Sequence, residues 1–254
     1  MQQSQSSNRR TAFVTGAGQG IGAAIAVGLA RDGFDVAVSS RDVGKLSEVT
    51  QQITATGARA LPVALDVCSA SSIDQAMAAV VSGFGHLDVL VNNAAVTLRK
   101  AALEVTPSEW DSIMNTNMTG TFFMSQQMGR HLISRKQPGC IVSVASTHGV
   151  VALAGRTPYG ISKAAIIHMT KMLAIEWAEH GVRVNAVAPG TVLTPSRMVM
   201  LQDPGHRAAM RNRIPMRREG TVEEVAGAVS YLVSPQAAYI TGQTLLLDGG
   251  LTSY

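Results

Sequence analysis

The eight residues Thr15-Gly16-Ala17-Gly18-Gln19-Gly20-Ile21-Gly22 decide the fold of this chain. They end a short apolar run and lead into an alanine-rich segment that is predicted to be helical from near Ile21. Glycines allow a tight turn, let the backbone approach a pyrophosphate and let the helix pack closely on the strand, while the helix N-terminus presents free N–H groups to phosphates. This order of strand, turn and helix predicts a dinucleotide phosphate loop.

Short apolar runs alternate with helix-sized segments along the whole chain. The runs predict seven strands, Ala12–Thr15, Asp35–Ser39, Ala60–Leu65, Leu87–Val91, Cys140–Val144, Val182–Val187 and Thr244–Leu247. They are apolar on both faces, as in parallel strands covered by helices above and below. We therefore predict an α/β fold, with a Rossmann-type doubly wound parallel seven-stranded sheet and helices on both faces. Residues 1–10 are predicted to be a disordered tail, and 11–254 a single domain.

Composition limits the class of protein. Of the 254 residues, 46% are hydrophobic and 15% are charged, which fits a well-buried aliphatic core. The net charge of +4 comes from scattered basic residues apart from the cluster Arg211–Arg218, so nucleic-acid binding, with its steep salt dependence, is a minor alternative. The polar start and the lack of a long apolar run predict no signal peptide, no membrane span and a cytoplasmic location.

The cysteines and histidines predict neither disulfides nor metal. Cys68 and Cys140 are interpreted as core thiols in a reducing compartment. The six histidines have no metal-binding spacing, so no metal site is expected.

The residues after the second predicted strand bear on the choice of nicotinamide cofactor. A carboxylate at this position accepts hydrogen bonds from the ribose 2′-hydroxyl and repels a 2′-phosphate. Here the sequence reads Ser39-Ser40-Arg41, and Arg41 can bind a phosphate with its planar guanidinium, which favours NADP(H) over NAD(H). If the register differs by a residue or two, Asp42 would be the ribose-binding acid and the preference would reverse.

Tyr159 and Lys163 are spaced by one helical turn, so they share a face if a helix begins near Tyr159. A nearby cation stabilises a phenolate, which makes a tyrosine usable as an acid or base near neutral pH. The pair also follows a strand that ends at Ser146, at the carboxyl end of the sheet where α/β proteins bind ligands. We therefore predict an acid/base pair beside the bound ligand.

Several motifs together resemble the classical short-chain dehydrogenases/reductases, in order and across almost the whole chain. They are Thr15–Gly22, Asn92-Asn93-Ala94, Asn117, Ser146, Tyr159-x-x-x-Lys163 and Pro189-Gly190. One departure is Ala95, where the family usually has glycine after Asn-Asn-Ala. The Ser40-Arg41 arrangement is similar to that of the NADP(H)-preferring members.

The resemblance implies roles for named residues. Tyr159 would donate the proton, Ser146 would hold the substrate oxygen, Lys163 would bind the ribose and tune Tyr159, and Asn117 would anchor a water. The implied cofactor-binding residues are Gly16, Gln19, Gly20, Ile21, Gly22, Ser40, Arg41, Asp66, Val67, Asn93, Tyr159, Lys163, Val192 and Thr194. The predicted substrate pocket consists of Ser146, His148, Tyr159 and Met198.

Two segments predict features beyond the sheet. The predicted helix Lys163–Ala178 is apolar almost all round, which together with the resemblance indicates a homotetramer. The long excursion Thr191–Pro215 is either a lid over the site or an ordinary surface helix.

We predict an NADP(H)-dependent ketone reductase or secondary alcohol dehydrogenase that acts on a small molecule such as a sugar acid, polyol or cyclic ketone. One alternative is reduction of 3-oxoacyl thioesters on an acyl carrier protein. Ile175, standing where such members carry an arginine, argues against it, with Lys136 a candidate for a second such position. A second alternative is a dinucleotide sensor without turnover. A serine hydrolase is disfavoured, because Gly160-Ile161-Ser162 does not follow a strand.

Overall fold

The computed structural model describes residues 9–195 and 204–253. Seven parallel strands form one sheet in the order β3-β2-β1-β4-β5-β6-β7. The strands are β1 (Thr11–Val14), β2 (Asp35–Ser40), β3 (Ala60–Ala64), β4 (Val89–Asn92), β5 (Gly139–Val144), β6 (Val182–Pro189) and β7 (Thr244–Leu247). The predicted doubly wound parallel sheet is therefore confirmed, with strand ends displaced by a residue or two.

Helices connect the strands and cover both faces of the sheet. They are α1 (Gly20–Arg31), α2 (Ser47–Ala55), α3 (Ala70–Phe84), α4 (Pro107–Met114), α5 (Gly120–Ser134), α6 (Thr157–Trp177), α7 (Pro204–Asn212) and α8 (Val222–Val233). Buried residues of α1, α2 and α8 pack on one face of the sheet, and those of α3, α5 and α6 pack on the other. Parallel strands need crossover connections, and helices on both faces supply them.

The edge strands correct one expectation. All seven strands were expected to be buried on both faces, but β3 and β7 are partly exposed, with Leu245 and Leu246 exposed by 39% and 40%. An edge strand has a neighbour on one side only, and the covering helices pack over the middle of the sheet. Cys140 is buried as predicted, whereas the prediction of a core thiol at Cys68 is wrong, since Cys68 lies exposed after β3.

Arg9 and Arg10 lie inside the range of the predicted tail. The Arg10 guanidinium lies 4.7 Å from the centre of the Phe34 ring and donates to the Val233 carbonyl. Residues 1–8 and Tyr254 are outside the described residues, so the tail and the single-domain boundary stay predictions. In the described part of the chain, no helix is both long enough and apolar enough to cross a membrane.

Candidate active site

The loop between β1 and α1 contains glycines at positions where a side chain would be strained or crowded. Gly16 and Gly20 have φ angles of +63° and +60°, in the left-handed region that favours glycine. A Cβ on Gly22 would lie 2.4 Å from Asn93 Nδ2 and 2.6 Å from the Gly16 carbonyl oxygen. Asn93 Nδ2 donates to the carbonyls of Thr15 and Gly16, at 3.0 and 2.9 Å. The amide thus ties β4 to the loop and fixes its turn.

The first turn of α1 begins directly after this loop. Gln19 is the N-cap residue, but its side chain makes no capping hydrogen bond, and the first turn has no acidic residue. The N–H groups of this turn are therefore not capped by a side chain, and they fit a bound phosphate. Ile21 in the same turn lines a cleft that also contains Tyr159 and Lys163. The loop and helix end together fit the pyrophosphate of a dinucleotide.

The end of β2 places Ser40, Arg41 and Asp42 beside the loop. The Ala17 amide donates to the Ser39 carbonyl at 2.9 Å, which joins the loop to this strand. Arg41 is exposed, and no ion pair links it to another described residue. Asp42 caps the turn that follows, with Oδ1 accepting from the Gly44 amide at 2.9 Å. One oxygen of the Asp42 carboxylate is thus used by the chain itself.

Asp66 and Val67 follow β3, two strands away from β1. Asp66 is exposed, and its Oδ1 accepts from the Cys68 amide at 3.0 Å. Val67 is buried against the start of α5, where a Cβ on Gly120 would lie 2.8 Å from the Val67 Cβ. Both residues lie at the carboxyl edge of the sheet, where the family resemblance expects the adenine.

Val192 and Thr194 follow β6 on the other side of the loop. Val192 is buried and pairs with Gly220 in a short parallel bridge. A Cβ on Gly20 would lie 3.5 Å from the Thr194 Cγ2, so this segment lies against the phosphate loop. Both residues line the same cleft as Ile21.

Tyr159 and Lys163 lie in the first two turns of α6, which begins at Thr157 and so close to Tyr159 as expected. The Lys163 Nζ is 5.7 Å from the centre of the Tyr159 ring and donates to the Val144 carbonyl at 2.6 Å. Burial lowers the pKa of Lys163 from 10.5 to about 8. An ammonium is thus held beside the phenol in a site that excludes much of the water.

Ser146 and His148 follow β5 and lie against the start of α6. Ser146 is buried and its Oγ accepts from the His148 amide at 3.2 Å, which fixes a short turn. The His148 ring packs edge-on against the Tyr159 ring, with centres 6.2 Å apart. The structure therefore brings together Ser146, His148, Tyr159 and Lys163 as the sequence predicted, whereas Met198 lies outside the described residues.

Asn117 lies in a π-helical turn, Asn115–Thr119, between α4 and α5. Its side chain is fully buried, with Oδ1 accepting from the Val96 amide and Nδ2 donating to the Val96 carbonyl. Nδ2 also donates to the Ser162 Oγ at 3.0 Å. Single π-turns often occur at functional sites. Here the turn joins α6, through the residue next to Lys163, to the segment after β4.

Of the predicted site residues, a cleft of about 640 Å³ is lined by Ile21, Asn93, Ser146, His148, Tyr159, Lys163, Val192 and Thr194. Sequence reasoning missed several of its walls, namely Thr97, Val151, Ala152, Leu153, Arg156, Met210, Arg213, Ile214 and Leu251. Most come from segments far apart in the chain, which no local pattern connects. Arg156 could have been found from the sequence, because it stands directly before the predicted helix of Tyr159. A cation at the N-terminus of a helix opposes the helix dipole and is therefore unusual there. No group of three potential metal ligands occurs among residues 9–195 and 204–253.

The helix α7 covers one side of this cleft through Met210 and is fastened to the body by a buried carboxylate. Arg207 Nε lies 2.7 Å from one oxygen of Glu219, and Arg211 Nη2 lies 2.7 Å from the other. These hydrogen bonds lower the pKa of Glu219 from 4.5 to about 2, against the opposing effect of its burial. Arg211 belongs to the basic cluster Arg211–Arg218, so this member of the cluster has a structural role.

Comparisons with known proteins agree with this geometry. A family model described as enoyl-(acyl carrier protein) reductase matches residues 16–252. The chain is 37% identical over 246 residues to 3beta-hydroxysteroid dehydrogenase 1 of Eggerthella lenta, covering 96% of this chain and 94% of that protein. It is 35% identical over 241 residues to gluconate 5-dehydrogenase of Gluconobacter oxydans, covering 95% and 94%.

Two solved structures show the same fold. A short-chain type dehydrogenase/reductase from Mycobacterium marinum superposes with a TM-score of 0.91 at 33% identity, covering 96% of both chains. The actinorhodin polyketide ketoreductase with NADPH superposes with a TM-score of 0.92 at 35% identity, covering 97% of this chain and 98% of that one. Taken with the family match over most of the sequence, these similarities show that the chain belongs to the short-chain dehydrogenase/reductase family.

Proposed function

We propose that the protein is an NADP(H)-dependent oxidoreductase, a ketone reductase or secondary alcohol dehydrogenase, with Tyr159 as general acid/base. The observation that carries this proposal is the buried Lys163 ammonium beside the Tyr159 ring, in a cleft that continues into the phosphate loop. A dinucleotide sensor has no use for such a pair. When bound, the dinucleotide supplies the hydride to the carbonyl carbon or accepts it from the alcohol.

The side chains around the cleft bind the substrate oxygen, donate the proton and stabilise the resulting charge. Ser146 Oγ and the Tyr159 hydroxyl bind the substrate oxygen, and Tyr159 donates its proton to that oxygen in the direction of reduction. The Lys163 ammonium stabilises the phenolate that remains, since the charge develops in a site of low polarity. Asn117 is the candidate anchor of a water that returns the proton, and its bonds to Val96 and Ser162 hold α6 in place.

The preference for NADP(H) rests on the end of β2. The exposed Arg41 and the Ser40 hydroxyl can both donate hydrogen bonds to a 2′-phosphate. Asp42, the competing ribose ligand, already caps the turn Val43–Leu46. The ketoreductase that superposes on this chain carries NADPH. We propose that the remaining dinucleotide contacts come from the loop Gly16–Gly22 and from Asp66, Val67, Asn93, Tyr159, Lys163, Val192 and Thr194.

Nicotinamide absorbance tests both parts of the proposal. NADPH and NADH are supplied separately with cyclic ketones, oxo sugar acids and 3-oxoacyl thioesters, for wild type, Tyr159→Phe and the exposed control Tyr231→Phe. We expect turnover with NADPH that falls at least about 100-fold in Tyr159→Phe and is kept in the control. Turnover that survives in Tyr159→Phe would refute the assigned role, and tight NADPH binding without any turnover would favour the sensor.

A second pair of variants tests the cofactor preference. Arg41→Gln is expected to lower kcat/KM for NADPH at least about tenfold and to leave that for NADH within about threefold, because only the 2′-phosphate contact is lost. Arg31→Gln removes the same charge at the far end of α1 and serves as the control. Equal losses with both cofactors would refute the role of Arg41.

We propose that the protein is a homotetramer. We also propose that it is located in the cytoplasm and has no nucleic-acid or membrane partner. In the single chain, α6 leaves Ile161, Met172 and Ile175 exposed by 46%, 49% and 79%. Such a face on a helix is expected to be covered by another subunit. Sedimentation equilibrium at working concentration tests this proposal, and a stable monomer would refute it.

A further inference from the structure

Lys163 and Arg156 are cationic side chains among the residues that line the cleft, whereas no aspartate or glutamate of the described chain lines it. A cationic side chain in a cleft without carboxylates favours an anionic ligand. The pyrophosphate accounts for the phosphate-loop end of the cleft, but Arg156 lies elsewhere, at the N-terminus of α6 three residues before Tyr159.

The Arg156 guanidinium is fixed along one edge only. Its Nη1 donates to the Thr97 Oγ1 at 2.7 Å and to the Leu98 carbonyl at 3.2 Å. Within residues 9–195 and 204–253, Nε and Nη2 have no hydrogen-bond acceptor, although Nε is shielded from solvent. Buried donors normally have an acceptor. Because Nε is closed to solvent, Nη2 is the guanidinium nitrogen that remains for a carboxylate oxygen.

The charge of Arg156 is not neutralised by a described carboxylate, in contrast to that of its neighbour Lys100. The Lys100 ammonium lies 2.9 Å from Glu109, whereas Arg156 forms no such ion pair with any residue that the structure describes. Burial lowers the pKa of Arg156, and the positive charge of Arg99 lowers it further. The N-cap position is also unfavourable for a cation. A bound anion would relieve all three effects, which makes this a place for a ligand.

We propose that Arg156 binds a carboxylate of the substrate, so that the protein acts on oxo acids and the corresponding hydroxy acids. The carboxylate lies at Arg156 while the reacting oxygen lies at Ser146 and Tyr159, so the acid group is separate from the reacting carbon. This inference rests on the proposed function, since it concerns the same cleft. A neutral steroid or ketone leaves Nη2 of Arg156 without an anionic acceptor.

The test compares each acid with its own amide. The probes are 3-oxocyclohexane-1-carboxylate and 5-oxo-D-gluconate, each beside its primary amide, with NADPH as reductant. In wild type we expect kcat/KM to be at least about 30-fold higher for the carboxylate of at least one pair. In Arg156→Gln the ratio is expected to fall below about threefold while the amide keeps its wild-type kcat/KM. Arg156→Lys keeps the charge but not the planar guanidinium. Its ratio of kcat/KM for acid over amide is expected to lie between those of wild type and Arg156→Gln.

A control variant and a binding measurement make the outcome decisive. Arg99→Gln removes a neighbouring, exposed charge that does not line the cleft, and it is expected to keep the carboxylate preference. Two results would overturn the inference. One is an equal fall of kcat/KM for acid and amide in Arg156→Gln, and the other is an equal kcat/KM for the two in wild type. Arg156 would then only hold the segment Thr97–Leu98.

Calorimetric titration of each probe into Tyr159→Phe loaded with NADPH measures binding without turnover. If the acid binds at least about 30-fold more tightly than the amide, and Arg156→Gln removes the difference, the inference stands even if wild type turns over neither probe and the proposed function fails. If wild type reduces acid and amide equally, the proposed function stands and the inference fails. Absence of both binding and turnover overturns the inference.

Discussion

Replacing Lys163 by methionine is expected to stabilise the protein at neutral pH while abolishing turnover. Burial of the ammonium lowers the pKa of Lys163 from 10.5 to about 8. At about 1.4 kcal/mol per pKa unit, the buried charge therefore lowers the free energy of unfolding by about 3 kcal/mol relative to a neutral lysine. Methionine, an apolar side chain of similar length, does not have this cost.

A hydrogen bond offsets part of the gain. Lys163 Nζ donates to the Val144 carbonyl at 2.6 Å, and a hydrogen bond from a charged donor contributes about 1.5–3 kcal/mol. The net expectation for Lys163→Met is therefore an increase of about 1 kcal/mol in the free energy of unfolding at pH 7. The sign is opposite to that of most substitutions in a buried site.

The pH dependence gives the sharper test. Between pH 8 and 10.5 the folded lysine is mostly neutral while the unfolded one keeps its proton, so the unfolded state binds more protons and wild-type stability rises with pH. The variant lacks this rise. Its advantage at pH 7 is expected to shrink above pH 8 and to become a deficit of about 2 kcal/mol by pH 10.5.

Urea unfolding at one protein concentration, followed by tryptophan fluorescence at pH 7, 8.5 and 10, measures the difference. Lys171→Met, an exposed lysine on the same helix, is the control and is expected to change the free energy of unfolding by less than about 0.5 kcal/mol at pH 7. A stability difference between Lys163→Met and wild type that is the same at pH 7 and pH 10 would refute the reasoning.

Gly22→Ala is expected to weaken NADPH binding in calorimetric titrations at least about tenfold, because the added Cβ would lie 2.4 Å from Asn93 Nδ2. Gly227→Ala, on α8 with nothing within 4 Å of the new Cβ, is the control, and equal affinities would contradict the argument. Glu219→Gln is expected to lower the free energy of unfolding by about 2 kcal/mol at pH 7, because its arginine partners are partly exposed and screened. Since the pKa of Glu219 is lowered to about 2, this loss should disappear between pH 4.5 and 2, unlike any change in the exposed control Glu223→Gln.

The sequence was sufficient to predict the features that depend on local patterns. The seven apolar runs form seven parallel strands. Parallel strands need crossover connections, and the helix-sized segments between the runs supply them. The spacing of Tyr159 and Lys163 predicted a shared helix face, and the Lys163 ammonium lies beside the Tyr159 ring. The glycine loop followed from its place between a strand and a helix.

Features that depend on distant contacts could not be predicted. The π-turn at Asn115–Thr119 is stabilised by bonds from Asn117 to Val96 and Ser162, which come from other parts of the chain. The ion pairs of Glu219 with Arg207 and Arg211 likewise join α7 to a segment outside that helix, so helical or strand periodicity does not predict them. Exposure of Cys68 was missed because an apolar context in the sequence does not show where the covering helix ends.

The strand order has a consequence for how selectivity can change. Arg41 follows β2 and Arg156 lies in the connection after β5, with β1 and β4 between these strands. Neighbouring strands lie about 4.8 Å apart, so β2 and β5 are separated by about 14 Å. Substitutions at this separation add in free energy to within about 0.5 kcal/mol. With the proposed roles of Arg41 and Arg156, a substitution that changes the cofactor preference is expected to leave the substrate preference unchanged, and the reverse is also expected.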